Sequence, residues 1–281
     1  MRVLETVFFA EPRPTASEKR SSKPSGTVQK RPLTKSKSGV PDAPNEVSTM
    51  AILSPDQFDA LRRYNTPTIA NAIEVFDVRP RHVGFLPHRI RCLLPGIGPI
   101  VGYAVTSQTR SDWSPAMEPD RSGDYLRYVA AQPGPKIAVG QDLDEPTGLG
   151  AQFGEVNTTI HKKLGCVGHI TDGCPRDLDE VEALGFGLFG LNPCVSHAYV
   201  RLVDFGKPVR LAGVEIKPGD LIHADKHGVC LIPNEIAPRL AEACAEVERM
   251  EKPLLEICRS ADFHLEEYLR LRSAAKAQIR E

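Results

Sequence analysis

Residues 154–177 read GEVNTTIHKKLGCVGHITDGCPRD, and the interpretation of the whole chain starts from them. Positions 155–164 predict a helix, and the β-branched and apolar positions 166–171 predict a strand. The helix would be about 15 Å long and the strand about 20 Å long. Because the Leu164-Gly165 connection is tight, the two fold back on each other. The start of the helix and the end of the strand should therefore meet at one edge of a layered α/β structure.

Chemically distinctive residues stand at the two places that meet. Gly154 permits a close backbone approach, and the first N–H groups of the following helix have no internal partner and can bind a carboxylate. Glu155 can act as a general base, directly or through a metal-bound water. After twenty intervening residues, Arg176 offers a planar fork for a carbonyl or enolate oxygen. Asp177 is a hard oxygen ligand suited to Mg²⁺ or Mn²⁺.

Each of these residues also has a purely structural interpretation. A Gly-Glu pair commonly opens a helix, where the acidic side chain complements the helix dipole. An Arg-Asp pair at a helix start is commonly a cap combined with a surface ion pair. A functional interpretation therefore depends on the joint arrangement of Gly154, Glu155, Arg176 and Asp177.

Short helices and strands alternate on both sides of this stretch, which predicts a mixed α/β domain of layered type. Ser54-Pro55-Asp56-Gln57 predicts a capping box at the first helix. A loop is expected at 111–121, and the C-terminal tail should be helical from 234 but interrupted near Pro253. The remaining predicted helices are 55–64, 68–76, 125–131 and 177–184, and the remaining strands are 99–109, 136–139, 187–189, 209–211, 214–216, 221–224 and 229–232.

Composition narrows the class of protein. The chain of 281 residues is 41% hydrophobic and 25% charged, as in ordinary globular proteins, and its formal net charge of -1 favours neither nucleic acid nor a membrane surface as a partner. No apolar run is long enough to cross a bilayer. The seven cysteines form no C-x-x-C pair, so we expect free, mostly buried thiols and a cytoplasmic location.

Residues 1–49 differ in composition from the rest of the chain. The run 12–44 is rich in Pro, Ser, Thr, Lys and Arg and has almost no large apolar residue, which predicts a disordered leader. The acidic residues in this region argue against a transit peptide. A fusion scar, or a true start at Met50, is at least as good an explanation of the leader. The folded domain is expected to occupy 50–281.

Several motifs together resemble a known family, from about Leu53 to Pro233. They are Gly165-Cys166-Val167-Gly168, Thr171-Asp172-Gly173 followed by Arg176-Asp177-Leu178-Asp179-Glu180, Val203-Asp204-Phe205-Gly206-Lys207-Pro208-Val209, and Pro218-Gly219-Asp220-Leu221-Ile222-His223-Ala224-Asp225 with Gly228-Val229. The chain resembles the RraA-like group, which contains class II 4-hydroxy-4-methyl-2-oxoglutarate / 4-carboxy-4-hydroxy-2-oxoadipate aldolases and regulators of ribonuclease E activity. In the aldolases an acidic residue, here Glu155, is followed by twenty intervening residues and then Arg-Asp, whereas the regulators have Gly in place of the acidic residue.

The resemblance implies a fold, a site and an assembly. The fold would be a layered α/β/α or swivelling β/β/α domain, assembled as trimers or hexamers with active sites at subunit boundaries. By resemblance, the segment of Gly154, Glu155, Val156 and Asn157 would bind substrate together with Arg176, and Asp177 would bind the divalent metal.

The expected function is that of a metal-dependent lyase. It would cleave a 4-hydroxy-2-oxo acid to pyruvate by retro-aldol chemistry, with oxaloacetate decarboxylation as a side activity. The alternative is a non-catalytic protein that binds and regulates a ribonuclease. Among the histidines, His161 and His169 are expected to be structural, whereas His223 and His227 either reach a site or lie solvated beside a turn.

Overall fold

The structure is a computed structural model that describes residues 52–114 and 116–278. The predicted disordered leader at 1–49 lies outside the described residues. The helices are α1 (Pro55–Leu61), α2 (Thr66–Glu74), α3 (Ser122–Ala131), α4 (Glu155–Lys163), α5 (Leu178–Ala183), α6 (Ala237–Arg259) and α7 (Leu265–Gln278). The strands are β1 (Arg91–Cys92), β2 (Ile100–Arg110), β3 (Lys136–Asp142), β4 (Cys166–Thr171), β5 (Gly187–Gly190), β6 (Arg201–Phe205), β7 (Val209–Leu211), β8 (Val214–Ile216), β9 (Leu221–Asp225) and β10 (Gly228–Ile232).

One sheet, organised around the long strand β2, contains eight of these strands. Its order is β1-β5-β4-β3-β2-β9-β10, and β6 pairs with the distal end of β2. β2, β3, β4 and β5 run parallel to one another. β1 pairs antiparallel with β5, and β6 and β9 pair antiparallel with β2. The segment between α2 and β2 contacts both sheet edges, since Phe85 bridges to Cys230 in β10 and Arg91 pairs with Gly190 in β5. The sheet is thereby curled into a nearly closed, barrel-like form.

Successive side chains along each strand point to opposite faces of the sheet, and both faces are apolar. Ile100 and Ala104 of β2 pack on one face with the β7–β8 hairpin. Val101 and Tyr103 point to the other face, where α1, α2 and α6 cover them. Val105 lies further along that second face, beneath α3 and α5. The hairpin, sheet and helices thus form the layered α/β domain that the sequence predicts.

Most element boundaries agree with the sequence prediction within a few residues. The capping box is present, with Ser54 Oγ accepting from Gln57 N at 3.3 Å and Ser54 N donating to Gln57 Oε1 at 2.9 Å. The strand predicted at 166–171 has those bounds, and the strand pair predicted near 221–232 is the antiparallel β9–β10 hairpin. Among the described residues, no helix combines the length and apolar character that a membrane span requires.

The predicted interruption at Pro253 is wrong. α6 continues through Pro253 for six further residues and ends at Arg259. An internal proline removes one backbone hydrogen bond, but Leu, Met, Glu, Lys and Arg dominate both sides of it and strongly favour helix. The helix ends instead where Ser260 adopts an extended conformation.

Two other features differ from the sequence interpretation. β6 was not predicted as a strand; it forms because its backbone completes the far end of the long strand β2. His223 is fully buried rather than solvated, and its Nδ1 and Nε2 lie 2.9 Å from Thr66 Oγ1 and 3.3 Å from the Leu61 carbonyl oxygen. Burial lowers the pKa of His223 to about 4, so this imidazole is a neutral packing group at pH 7.

Candidate active site

The start of α4 and the segment after β4 meet, as the spacing of residues 154–177 predicts. Arg176 N donates to the Phe153 carbonyl oxygen at 2.9 Å, and Glu155 N donates to Asp177 Oδ2 at 3.0 Å. The Arg176 guanidinium lies beside the same carboxylate, with Nε 3.6 Å from Asp177 Oδ2. Two hydrogen bonds therefore fix the helix start against the Arg-Asp pair.

Gly154 is required by this close approach. A Cβ atom at residue 154 would lie 2.3 Å from Asp177 Oδ2 and 3.1 Å from Arg176 Cγ. Its φ of -143° is accessible to any residue, so the constraint is space and not backbone conformation. The absence of a side chain at this position is what lets the Asp177 carboxylate reach the helix.

Asp177 has a different structural role from the predicted cap on its own helix. It directly precedes α5 in the left-handed region, with φ of 56°, and makes no side-chain cap there. Its carboxylate instead caps α4 through Glu155 N. The left-handed backbone directs the side chain across to the neighbouring helix, at a conformational cost of about 1 kcal/mol.

Two amide donors remain available at the start of α4. The Val156 and Asn157 N–H groups have no acceptor within the described part of the chain, because the first turn of a helix lacks internal partners. Both residues line a cleft of about 210 Å³, together with Gly154, Arg176 and Asp177. A helix N-terminus with free amides beside a guanidinium favours binding of a carboxylate or an enolate.

The cleft also has a wall that sequence reasoning missed. Gln152 and His197 line it with Ala151 and Val200. Gln152 stands two positions before Gly154 and could have been included as a flank of the motif. His197 comes from the connection between β5 and β6, which is held here by the 3.0 Å hydrogen bond from Ala151 N to the Ser196 carbonyl oxygen. Nothing in the sequence around His197 indicates this long-range contact.

Glu155 occupies the rim of the site. Its backbone N–H anchors Asp177, but its side chain is exposed and does not contribute to the lining of the cleft. The structure thus joins Gly154, Val156, Asn157, Arg176 and Asp177 around one cavity and leaves the Glu155 carboxylate beside it.

The carboxylates of Asp142 and Asp172 accept backbone hydrogen bonds at the ends of β3 and β4. Asp142 accepts hydrogen bonds from Gly148 N at 2.6 Å and Asp144 N at 2.9 Å, and Asp172 accepts from Asp142 N at 2.8 Å. Burial raises the pKa of Asp142 to about 6 and raises that of Asp172 as well. Within residues 52–114 and 116–278, no three acidic, His or Cys side chains form a group able to hold a metal ion by themselves. Through its two hydrogen bonds, Asp142 holds the backbone at residues 144 and 148.

The two central histidines are structural, as the sequence suggested. His169 stacks on Phe153 with ring centroids 3.7 Å apart, and its Nδ1 lies 3.1 Å from the Ala138 carbonyl oxygen. Burial lowers the pKa of His169 to about 3 and that of His161 to about 4, so both rings are neutral at pH 7. The stack fixes Phe153, whose carbonyl oxygen anchors Arg176.

Residues 66–231 match the RraA-like family model, described as Aldolase/RraA. That stretch is more than half of the chain, so this protein belongs to the RraA-like family. A protein from Halalkalibacterium halodurans, provisionally named 4-hydroxy-4-methyl-2-oxoglutarate aldolase, is 31% identical over 117 residues, covering 40% of this chain and 54% of that protein. An uncharacterized protein from Methanocaldococcus jannaschii is 30% identical over 122 residues, covering 43% of this chain and 59% of that protein. The chain thus spans little more than half the length of these curated relatives.

Solved structures share the fold. An uncharacterized protein from Pseudomonas syringae superimposes with a TM-score of 0.62 at 22% identity, covering 79% of this chain and 96% of that one. Streptomyces coelicolor RraAS2, described as an unusual member of the RNase ES inhibitor RraA protein family, gives 0.58 at 21% identity, covering 71% and 96%. At this level of identity the likeness concerns the fold alone.

Proposed function

We propose that this protein is a divalent-metal-dependent lyase that cleaves a 4-hydroxy-2-oxo acid to pyruvate and an aldehyde or ketone. The observation that supports this function best is the convergence of free helix amides, the Arg176 guanidinium and the Asp177 carboxylate on one cleft. Oxaloacetate decarboxylation passes through the same enolate and is proposed as a side activity.

Binding and orientation of the 2-oxo acid would fall to the start of α4 and Arg176. The Val156 and Asn157 N–H groups donate to the substrate carboxylate, and the helix dipole favours its negative charge. The Arg176 guanidinium binds the keto oxygen at C2. When the C3–C4 bond breaks, its electron pair moves toward C2, and Arg176 stabilises the negative charge on that oxygen. Protonation at C3 then gives pyruvate.

The residues of the cleft fit a metal held mainly by water and substrate. Asp177 contributes one carboxylate that is about a third exposed (35%), and its Oδ1 atom has no partner in the described residues. Mg²⁺ is commonly bound by one or two carboxylates plus substrate oxygens rather than by an all-protein cage, which suits this donor set. A bound divalent cation would supply Lewis-acid polarisation of the 2-oxo acid.

Glu155 is the proposed general base. It is the first residue of α4, so it lies next to the place where the substrate carboxylate would bind. Rotation about the side-chain bonds of Glu155 would bring its own carboxylate over the cleft. It would remove the proton of the C4 hydroxyl while the C3–C4 bond breaks, so that C4 leaves as a carbonyl.

We also propose assembly into a homotrimer or hexamer. Val156 lines the cleft and is 82% exposed, and Val195, two residues before His197, is 97% exposed; a subunit packed at this edge would remove both apolar side chains from water. The alternative function, a non-catalytic regulator of a ribonuclease, shares the fold and differs in the chemistry of the cleft.

Glu155→Gln tests both the function and the base. Wild type and variant are assayed for pyruvate release from 4-hydroxy-2-oxo acids and from oxaloacetate, with Mg²⁺ supplied. We expect aldol cleavage to fall by about 10²-fold, at the low end for general-base catalysis, because the carboxylate is solvated at the rim. Decarboxylation should fall less, since no hydroxyl proton is removed.

Three outcomes of this assay are informative. A larger loss in cleavage than in decarboxylation supports the base. Equal losses would mean that Glu155 organises the cleft instead. No turnover of either substrate by the wild type would contradict the lyase and favour the regulator.

A further inference from the structure

Two half-buried cysteines, Cys174 and Cys194, lie beside the segment that carries Arg176 and Asp177. Cys174 stands two residues before Arg176 in the chain, and Cys194 belongs to the connection between β5 and β6. Both are free thiols and partly accessible to solvent, so a small reagent can reach them. Three other cysteines are buried: Cys166, Cys230 and Cys244.

Hydrogen bonds hold the two cysteine-bearing segments side by side. Cys194 N donates to the Pro175 carbonyl oxygen at 2.9 Å, and Leu191 N donates to the Gly173 carbonyl oxygen at 3.1 Å. The Cys194 Sγ atom itself lies 3.7 Å from the Cys174 carbonyl oxygen. Residues 173–175 are therefore fixed alongside residues 191–194, and one cysteine of the pair stands in each segment.

The two sulfur atoms and the Arg176 guanidinium form one electrostatic cluster. Burial raises the pKa of Cys194, and the charge of an ionised Cys174 raises it further. The positive charge of Arg176 acts on the same thiol in the opposite direction. The Cys174 Sγ atom packs over Gly148, where an added Cβ would lie only 2.5 Å from it.

A bond between the two sulfur atoms would move the Arg176 segment. Sulfur atoms in a disulfide are about 2.05 Å apart, which is closer than non-bonded sulfur atoms approach. Bond formation would draw Cys174 Sγ away from Gly148 and toward Cys194. Because Arg176 follows two residues later, its 2.9 Å hydrogen bond to the Phe153 carbonyl oxygen would be strained.

We propose that Cys174 and Cys194 are a reversible modification site, which a small disulfide converts to an intramolecular disulfide that displaces Arg176 and suppresses turnover. One thiol loses its proton, and its thiolate attacks the small disulfide and releases one small thiolate. The second protein thiolate then attacks the mixed disulfide and releases the other. The protein dithiol is oxidised, and the two small thiolates take up the two protons. The effect on turnover rests on the proposed function, whereas the modification does not.

Peptide mapping by mass spectrometry, after the full chain is incubated with oxidised glutathione, tests the modification without any substrate. We expect a crosslink between Cys174 and Cys194 that dithiothreitol removes. Cys194→Ser keeps a side-chain hydrogen-bond donor and should form no intramolecular crosslink. Cys258→Ser is the matched control, because Cys258 is an exposed cysteine of α6, and it should form the crosslink as the wild type does.

Hydrogen exchange and turnover of the oxidised protein test the displacement. The Arg176 and Glu155 amides donate to Phe153 and Asp177 in the reduced protein, so their exchange should become severalfold faster on oxidation. Pyruvate release should fall by about 10²-fold, as for a catalytic group misplaced by about 1 Å, and dithiothreitol should restore it. Exchange and turnover of Cys194→Ser should be insensitive to the same treatment.

The possible results separate this site from the proposed function. Free thiols at both positions after oxidation, or a disulfide to another cysteine, would overturn the site. A Cys174–Cys194 disulfide that leaves amide exchange or the turnover of an active protein unchanged would overturn the displacement. If the reduced protein releases no pyruvate from any 2-oxo acid, the proposed function fails, while the crosslink and exchange measurements still decide the modification.

Discussion

Replacement of Arg176 by lysine should lower both aldol cleavage and oxaloacetate decarboxylation by about 10³-fold, a loss expected when a charge-stabilising donor is removed from an enolate. Lysine keeps the charge but cannot reproduce the planar fork. Because both reactions develop charge on the C2 oxygen, the two losses should be similar, unlike those of Glu155→Gln. Steady-state pyruvate formation from each substrate measures this.

Arg127→Lys is the matched control. Arg127 is an exposed residue of α3 that forms an ion pair with Asp124 at 2.8 Å. It does not line the cleft. Its replacement should leave both rates within about twofold of the wild type, as expected for an exposed ion pair. If Arg176→Lys retained more than a tenth of wild-type activity on either substrate, the role of the guanidinium would be refuted.

Gly154→Ala should also lower turnover, by about 10³-fold. Misplacing a single catalytic group by 1 Å already costs about 10²-fold. The added Cβ would lie 2.3 Å from Asp177 Oδ2 and 3.1 Å from Arg176 Nε, so the carboxylate must move and the guanidinium with it. The φ of residue 154 tolerates alanine, so the fold should survive. Activity and the thermal unfolding midpoint are measured together.

Gly123→Ala controls for a generic effect of filling a glycine. A Cβ at Gly123 would meet nothing closer than Arg127 Nη1 at 3.8 Å, and the residue lies in a helix, where alanine is favourable. This variant should be fully active and slightly more stable. A fully active Gly154→Ala would show that the close contact between Gly154 and Asp177 is unimportant for turnover.

Local sequence was sufficient for the part of the site that is contiguous. The helix of α4, the strand β4 and their short connection lie within twenty-four residues, so periodicity and length alone placed Glu155 beside Asp177. The β9–β10 hairpin was predictable for the same reason. In each case the interacting residues are neighbours in the chain, and propensity and turn chemistry determine the geometry.

Long-range packing was not predictable from one sequence. His197 reaches the cleft because the β5–β6 connection pairs with Ala151, and Tyr125 meets His161 because α3 and α4 share a core. The left-handed conformation of Asp177 was also unforeseen, because tertiary contacts rather than its own propensity hold it. Pro253 shows the converse, since the helix-forming residues around it outweigh a strong local breaker.

We propose that residues 154–177 hold a divalent metal and a 2-oxo acid together, and binding of oxalate tests this most directly. Oxalate reproduces the two adjacent oxygens of the enolate and is not turned over. It is titrated calorimetrically into wild type and Asp177→Asn, each with Mg²⁺ and with EDTA. Asn keeps a side-chain oxygen to cap Glu155 N, so the variant should remain folded.

In the wild type, oxalate should bind in Mg²⁺, and EDTA should weaken its affinity by about 100-fold, because the ion would bind through substrate oxygens as well as Asp177. Asp177→Asn should show the weak affinity under both conditions. Oxalate affinity that is independent of Mg²⁺, or equal in the two proteins, would contradict the assignment of this cleft.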